Sequence, residues 1–192
     1  MAQETITRRG ALNGVDLDRL FGTIEAVKAD PALARFRFKT KNTWVRGGRN
    51  RTEVEGFHGA GQEVRHARPF VLDNDEPEML LGQDEAANPV EQVLHALAGC
   101  LTTSLVYHAA ARGVRLDAVE STFEGELDLR GFLGLSDEVR RGYERVRVHF
   151  RVKADAPEER LAELIEAAKA HSPVFDIVTN PTPVEVTVSR LT

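Results

Sequence analysis

The one cysteine of the chain, Cys100, bounds the redox chemistry open to it. A lone thiol cannot close an intramolecular disulfide and cannot build a multi-cysteine metal site. It can act as a nucleophile or be oxidised, with an external thiol or a second subunit completing the cycle. The reactive form is the thiolate, which needs a cation or other stabilisation beside it. The local sequence supplies none, because no Lys or Arg occurs between Arg68 and Arg112. Any cation comes from elsewhere, and Arg46, Arg49 and Arg51, around the Gly47-Gly48 turn, are candidates. The plainer alternative is a buried cysteine packed as a small hydrophobe.

Other residues able to do chemistry carry weaker signals. Glu91 and His95 lie four apart on one helix face, a spacing that suits a hydrogen-bonded pair better than a metal site, since further ligands are not apparent. His108 falls on the Cys100 side of the same helix but about 12 Å along its axis, and is expected to be a satisfied interface histidine. Gly56-Phe57-His58-Gly59 has the spacing of an RNA-binding GxxG loop, yet it follows a strand in an acidic chain, so a hairpin turn is expected. Tyr107, Phe70 and Trp44 are candidates for a small apolar pocket or for core packing. No phosphate-cradling glycine loop is present.

Cys100 must be held by a helix. Asn88-Pro89 is a start signal, with Asn at the cap and Pro at the first helical position, and Gly113 marks the end. Glu91 is its only formally charged residue, and Ala96, Ala98, Gly99, Ala109, Ala110 and Ala111 are small. A helix apolar nearly all round must be covered nearly all round. A dimer interface is therefore expected at or near it.

Around this helix the periodicity predicts a first helix over 16–29, with Asp16 as N-cap and Pro31 as stop. Alternation then predicts a three-stranded meander over 35–45, 51–57 and 63–72. After the long helix, strands are expected over 117–129, with an acidic outer face, and 144–153, with a basic one. Antiparallel pairing would set opposite charges across from each other. An amphipathic helix over 157–170, a loop at His171-Ser172-Pro173 and a last strand over 183–190, aligned on Val184, Val186 and Val188, complete an α+β order with mainly antiparallel sheet.

The chain of 192 residues suits one compact domain, or one with an added N-terminal element, and 42 % apolar with 29 % charged residues is ordinary globular composition. A net charge of -5 and a pI near 5.7 argue against a nucleic-acid or anionic-membrane partner. No run of about 18 apolar residues suggests a membrane span. MAQETITRRG lacks the apolar core of a signal peptide, so a cytoplasmic protein is expected.

Two segments together resemble one family. Asn88-Pro89-Val90-Glu91 through Ala98-Gly99-Cys100 resembles the Asn-Pro-Glu-Glu…Ala-Ala-Cys helix of OsmC/Ohr proteins. His171-Ser172-Pro173-Val174, followed by Asn180-Pro181-Thr182-Pro183, resembles that family's Cys-Pro-Val/Ile-Ser motif and its approach to a final strand. The resemblance covers about residues 35–190. It implies an OsmC-like α+β fold, with residues 33–192 as that domain and 1–32 as an N-terminal helical extension. It also implies an intertwined homodimer whose central helices pack together.

The implied activity is a thiol peroxidase acting on organic hydroperoxides. A first cysteine attacks the peroxide, a second resolves the sulfenic acid, and an Arg–Glu pair activates the thiolate. Cys100 stands at the first position and Arg46 or Arg49 lies in the region of the arginine. The chain departs at two positions: Ser172 replaces the resolving cysteine and Val90 the glutamate. Glu91 is no substitute, since nine residues at about 100° place it opposite Cys100. Two functions are therefore expected as alternatives. One is a one-cysteine hydroperoxide reductase using Cys100 and Arg46 or Arg49, with Tyr107, Val90 and Ser172 at the substrate and an external thiol as reductant. The other is an inactive relative binding a small apolar or thiol-bearing ligand at the dimer interface. Neither a cofactor nor a metal is expected.

Overall fold

The computed structural model describes residues 10–191, so residues 1–9 of the expected N-terminal extension lie outside the described residues. The chain forms two compact units, one ending at His95 and one beginning at Ala96.

The first unit opens with a hairpin of β1 (Ala11–Leu12) and β2 (Val15–Asp16). Its two-residue loop is Asn13-Gly14, both at positive φ, the turn whose twist matches antiparallel strands. Helix α1 (Leu17–Ala29) follows, its N-cap Asp16 accepting from Arg19 N as expected. The meander is present but its first strand is broken. β3 (Arg37–Phe38) and β4 (Lys41–Arg46) both pair antiparallel with β5 (Arg49–Gly59), whose other side pairs with β6 (Gln62–Asn74). The single strand expected over 35–45 is interrupted at Lys39-Thr40. That break lies opposite the stretch where β5 shifts register against β6, between Val54 and Gly56. A Cβ at Gly56 would lie 2.1 Å from the Val64 carbonyl oxygen, so the close backbone approach requires glycine there. Gly56 to Gly59 are strand residues, and the turn expected of them is formed by Ala60-Gly61 instead.

Helix α2 (Pro89–Ala111) is the expected long helix. Asn88 Oδ1 accepts from Glu91 N and the Glu91 carboxylate accepts from Asn88 N, a reciprocal capping box. Glu91 is thereby engaged with Asn88 rather than His95. At the other end Gly113 has φ +72°, with Val114 N donating to Ala109 O and Gly113 N to Ala110 O, the Schellman arrangement. By length and composition alone α2 could cross a bilayer, although its apolar stretches are interrupted well short of about 18 residues; core helices of soluble proteins share that property.

In the second unit, β7 (Leu116–Glu126) and β8 (Arg145–Ala154) form an antiparallel ribbon. The expected charge complementarity is present: Glu120 faces Arg151 and Glu124 faces Arg147, with ion pairs from Arg151 to Glu120 and from Arg147 to Glu126 at 2.6 Å. β7 ends before Leu129, which instead begins the short helix α3 (Leu129–Phe132), capped by Asp128. The ribbon's other face carries Val119, Phe150 and Val152 against Leu105 and Ala109 of α2 and Leu164 and Ala168 of α4 (Glu158–Ala170). Leu105 and Leu164 are fully buried, and each such side chain contributes roughly 1.5–3 kcal/mol.

Two expectations at the C-terminus need correction. The stretch read as a loop beginning at His171-Ser172-Pro173 contains helix α5 (Pro173–Thr179), with Ser172 as N-cap and Pro173 at its first position. The strand expected over 183–190 is not formed: residues 181–191 pair with no strand, and Val184, Val186 and Val188 are 79, 87 and 97 % exposed. Valine alternation suits a strand, but a strand exists only where a ladder partner does.

Candidate functional site

The long helix α2 carries Cys100, half-buried, between a covered edge and an open one. Leu97, Leu101, Leu105 and Ala109 form the covered edge. Val93, Ala96, Gly99, Thr103 and Tyr107 form the open one. The helix is thus covered along one stripe, not all round, within the single chain.

A second element reaches the sulfur. Helices α4 and α5 meet at His171-Ser172, where one residue ends α4 and the next begins α5. Ser172 is 2 % exposed. Its Oγ accepts from Phe175 N at 3.2 Å and donates to Cys100 Sγ at 3.1 Å. The Phe175 N–H takes a lone pair of the hydroxyl, leaving its one hydrogen for the sulfur. This bond joins the helix-borne sulfur to the start of α5, 72 residues away in sequence. Ser172 therefore does more than fill the volume of a missing thiol.

The other expected site residues divide by unit. Val90 lies in the first turn of α2, half-buried, and Tyr107 is 50 % exposed further along it. Arg46 and Arg49 flank the β4–β5 turn, and each donates within its own unit, Arg46 to Gln83 and Arg49 to Glu85. Arg51 holds Asp73 through two bonds of 2.7 and 2.9 Å, which keep the Asp73 carboxyl below its usual range.

The loop carrying Gln83 and Glu85 is organised by Asp75, a residue sequence reasoning did not single out. Asp75 is 2 % exposed, and its carboxylate accepts from the backbone N–H of Glu76, Gln83 and Glu85 at 2.9, 3.2 and 3.2 Å. With Arg46, Arg49 and Gly82 it lines a shallow cavity of about 180 Å³. Nearby Glu76 is raised in pKa by burial and then by the Asp75 and Glu91 charges. The sequence from Asp73 to Gln83 is acidic and turn-rich, which does not show which carboxylate is buried. Among the described residues no group of three or more His, Cys, Asp or Glu side chains is placed to hold a metal.

An apolar helix presenting one cysteine, with a hydroxyl donor brought to its sulfur by a second helical segment, defines a class of α+β proteins built around a helix-borne thiol. The chain belongs to the OsmC-like protein family, whose model matches residues 82–187, more than half of its length. Among solved structures, an OsmC-like protein from Mycoplasma pneumoniae is 12 % identical, with a TM-score of 0.58 over 76 % of this chain and 89 % of the other. An OsmC-like protein of unknown function from Vibrio cholerae is 13 % identical, with a TM-score of 0.55 over 73 % of this chain and 92 % of the other. At such identities these two likenesses establish the fold. No curated protein matches the sequence.

Proposed function

We propose that the protein is a one-cysteine, thiol-dependent reductase of organic hydroperoxides. The observation that carries this reading is the hydrogen bond from buried Ser172 Oγ to Cys100 Sγ, at the place where the family resemblance sets a second cysteine. The Cys100 thiolate attacks the terminal peroxide oxygen and the O–O bond breaks. The product alcohol leaves with a proton from solvent, and the sulfur becomes a sulfenic acid. Ser172 cannot resolve that acid as a disulfide. An external low-molecular-weight thiol condenses with it, releasing water, and a second thiol reduces the mixed disulfide to regenerate Cys100. Two external thiols are oxidised for each hydroperoxide reduced. A reducing cytoplasm is the compartment that supplies them.

The working unit in this proposal is a homodimer. The open edge of α2, with Val93 and Tyr107 40 and 50 % exposed, and the exposed valines of 184–188 offer apolar side chains that a partner could cover. A second copy is the covering that this self-same surface suits.

Turnover is tested with purified reduced protein, cumene hydroperoxide and excess dithiothreitol, following loss of the hydroperoxide. Catalytic loss that disappears in Cys100→Ser supports the proposal. Loss no faster than that caused by dithiothreitol alone overturns it and favours the ligand-binding alternative.

A further inference from the structure

Three basic side chains of the second unit meet without an acid among them. His108, in the last turn of α2, and His171, at the end of α4, lie with ring centroids 4.8 Å apart and planes tilted by 56°. Arg112 follows His108 by one helical turn, the spacing that puts two side chains on one face. Its Nη1 is shielded from solvent and has no hydrogen-bond partner among the described residues. His171 Nδ1 lies 2.9 Å from the Ala167 carbonyl. A carbonyl only accepts, so Nδ1 carries the hydrogen and Nε2 is left for another partner. Among the described residues no carboxylate forms an ion pair with any of the three.

The proton affinity of His108 reflects this composition: burial lowers it first, then the charges of Arg112 and His171. A shielded guanidinium N–H without an acceptor is costly, and a charged one more so. The ordinary solution is an oxyanion, which a guanidinium fork binds in a planar, directional way. A divalent cation fits poorly, because Arg112 would repel it and only two imidazoles are at hand.

We infer that His108, Arg112 and His171 form a binding site for a small oxyanion, the carboxylate or phosphate group of a ligand. Arg112 supplies the fork, and the N–H of the His108 ring, packed against His171, supplies a further donor. The site is separate from the thiol chemistry, although His171 directly precedes Ser172.

The test uses the imidazole resonances of the full-length protein at fixed pH and ionic strength. Inorganic phosphate and acetate are titrated separately against a sodium chloride control. The result expected is a saturable shift of the His108 and His171 rings with at least one of the two anions, absent with chloride, while His66 and His149 stay in place. Tighter binding of phosphate assigns a phosphoryl ligand, and tighter binding of acetate a carboxylate. In Arg112→Gln the half-saturation concentration should rise by about tenfold or more, the usual scale for losing one charged contact. Shifts no larger than those with chloride, or equal binding in Arg112→Gln, overturn the inference. If Arg112→Gln does not fold, His108→Asn, read on the His171 ring, decides by the same criterion.

Discussion

Replacing Ser172 by alanine removes two hydrogen bonds that share one oxygen, to Phe175 N and to Cys100 Sγ. The first caps α5, and loss of such a cap costs about 1 kcal/mol. The second is a neutral bond in the reduced protein, worth about 0.5–1.5 kcal/mol net. Together Ser172→Ala should cost about 1.5–2.5 kcal/mol, or roughly 3–10 °C in Tm for a chain of this size. A double-mutant cycle separates the two terms. With Cys100→Ala already present, only the cap is left to lose, so a coupling of about 0.5–1.5 kcal/mol should appear in urea unfolding. For the chemistry, a bond to the thiolate is worth about 1.5–3 kcal/mol. The rate constant of Cys100 with cumene hydroperoxide, measured by stopped flow, should therefore fall by about tenfold or more in Ser172→Ala. Additive stabilities within about 0.3 kcal/mol together with an unchanged rate constant would show that Ser172 caps α5 and does nothing for the sulfur.

Asp75→Ala strips the acceptor from three backbone N–H groups and should cost about 3 kcal/mol or more; amide exchange at Gln83 and Glu85 should accelerate, and unchanged exchange would contradict the assigned role. The folded pKa of His108 lies below 6.5 because burial and two cationic neighbours disfavour its charged form. The unfolded chain therefore binds the proton more readily. The stability linked to neutral His108 should be complete above pH 6.5 and lost as pH falls through the lower folded value; urea midpoints across that window should flatten in His108→Gln. For the proposed homodimer, light scattering should give a dimer mass that Val186→Asp with Val188→Asp shifts to monomer; a monomer mass for the unaltered protein would contradict the proposed dimer.

Where function depends on local rules, the sequence was legible. Asn88-Pro89 and Gly113 mark both ends of α2 because caps are written in adjacent residues. The acidic and basic faces of β7 and β8 foretold opposite charges facing across an antiparallel pair because cross-strand pairing reads side-chain alternation directly. Two local signals were nevertheless passed over: Asn13-Gly14, a hairpin turn, and Ser172-Pro173, a cap followed by a first-position proline. The remaining departures are tertiary. The break at Lys39-Thr40 lies opposite a register shift on the far side of β5, which the broken strand's own residues do not show. Val184, Val186 and Val188 alternate like a strand, yet they pair with no strand, and alternation alone does not show whether a ladder partner is present. Ser172 reaches Cys100 across 72 residues of sequence. Family likeness named the position, and only the fold revealed that the hydroxyl faces the sulfur.

The most direct test is to treat the reduced protein with one equivalent of cumene hydroperoxide beside a sulfenic-acid reagent and to follow the adduct by intact mass. A single adduct on Cys100, formed far faster than on a free thiol and absent from Cys100→Ser, is the result expected. Labelling no faster than a free thiol would contradict the peroxidatic role and leave Cys100 as a packing residue hydrogen-bonded by Ser172.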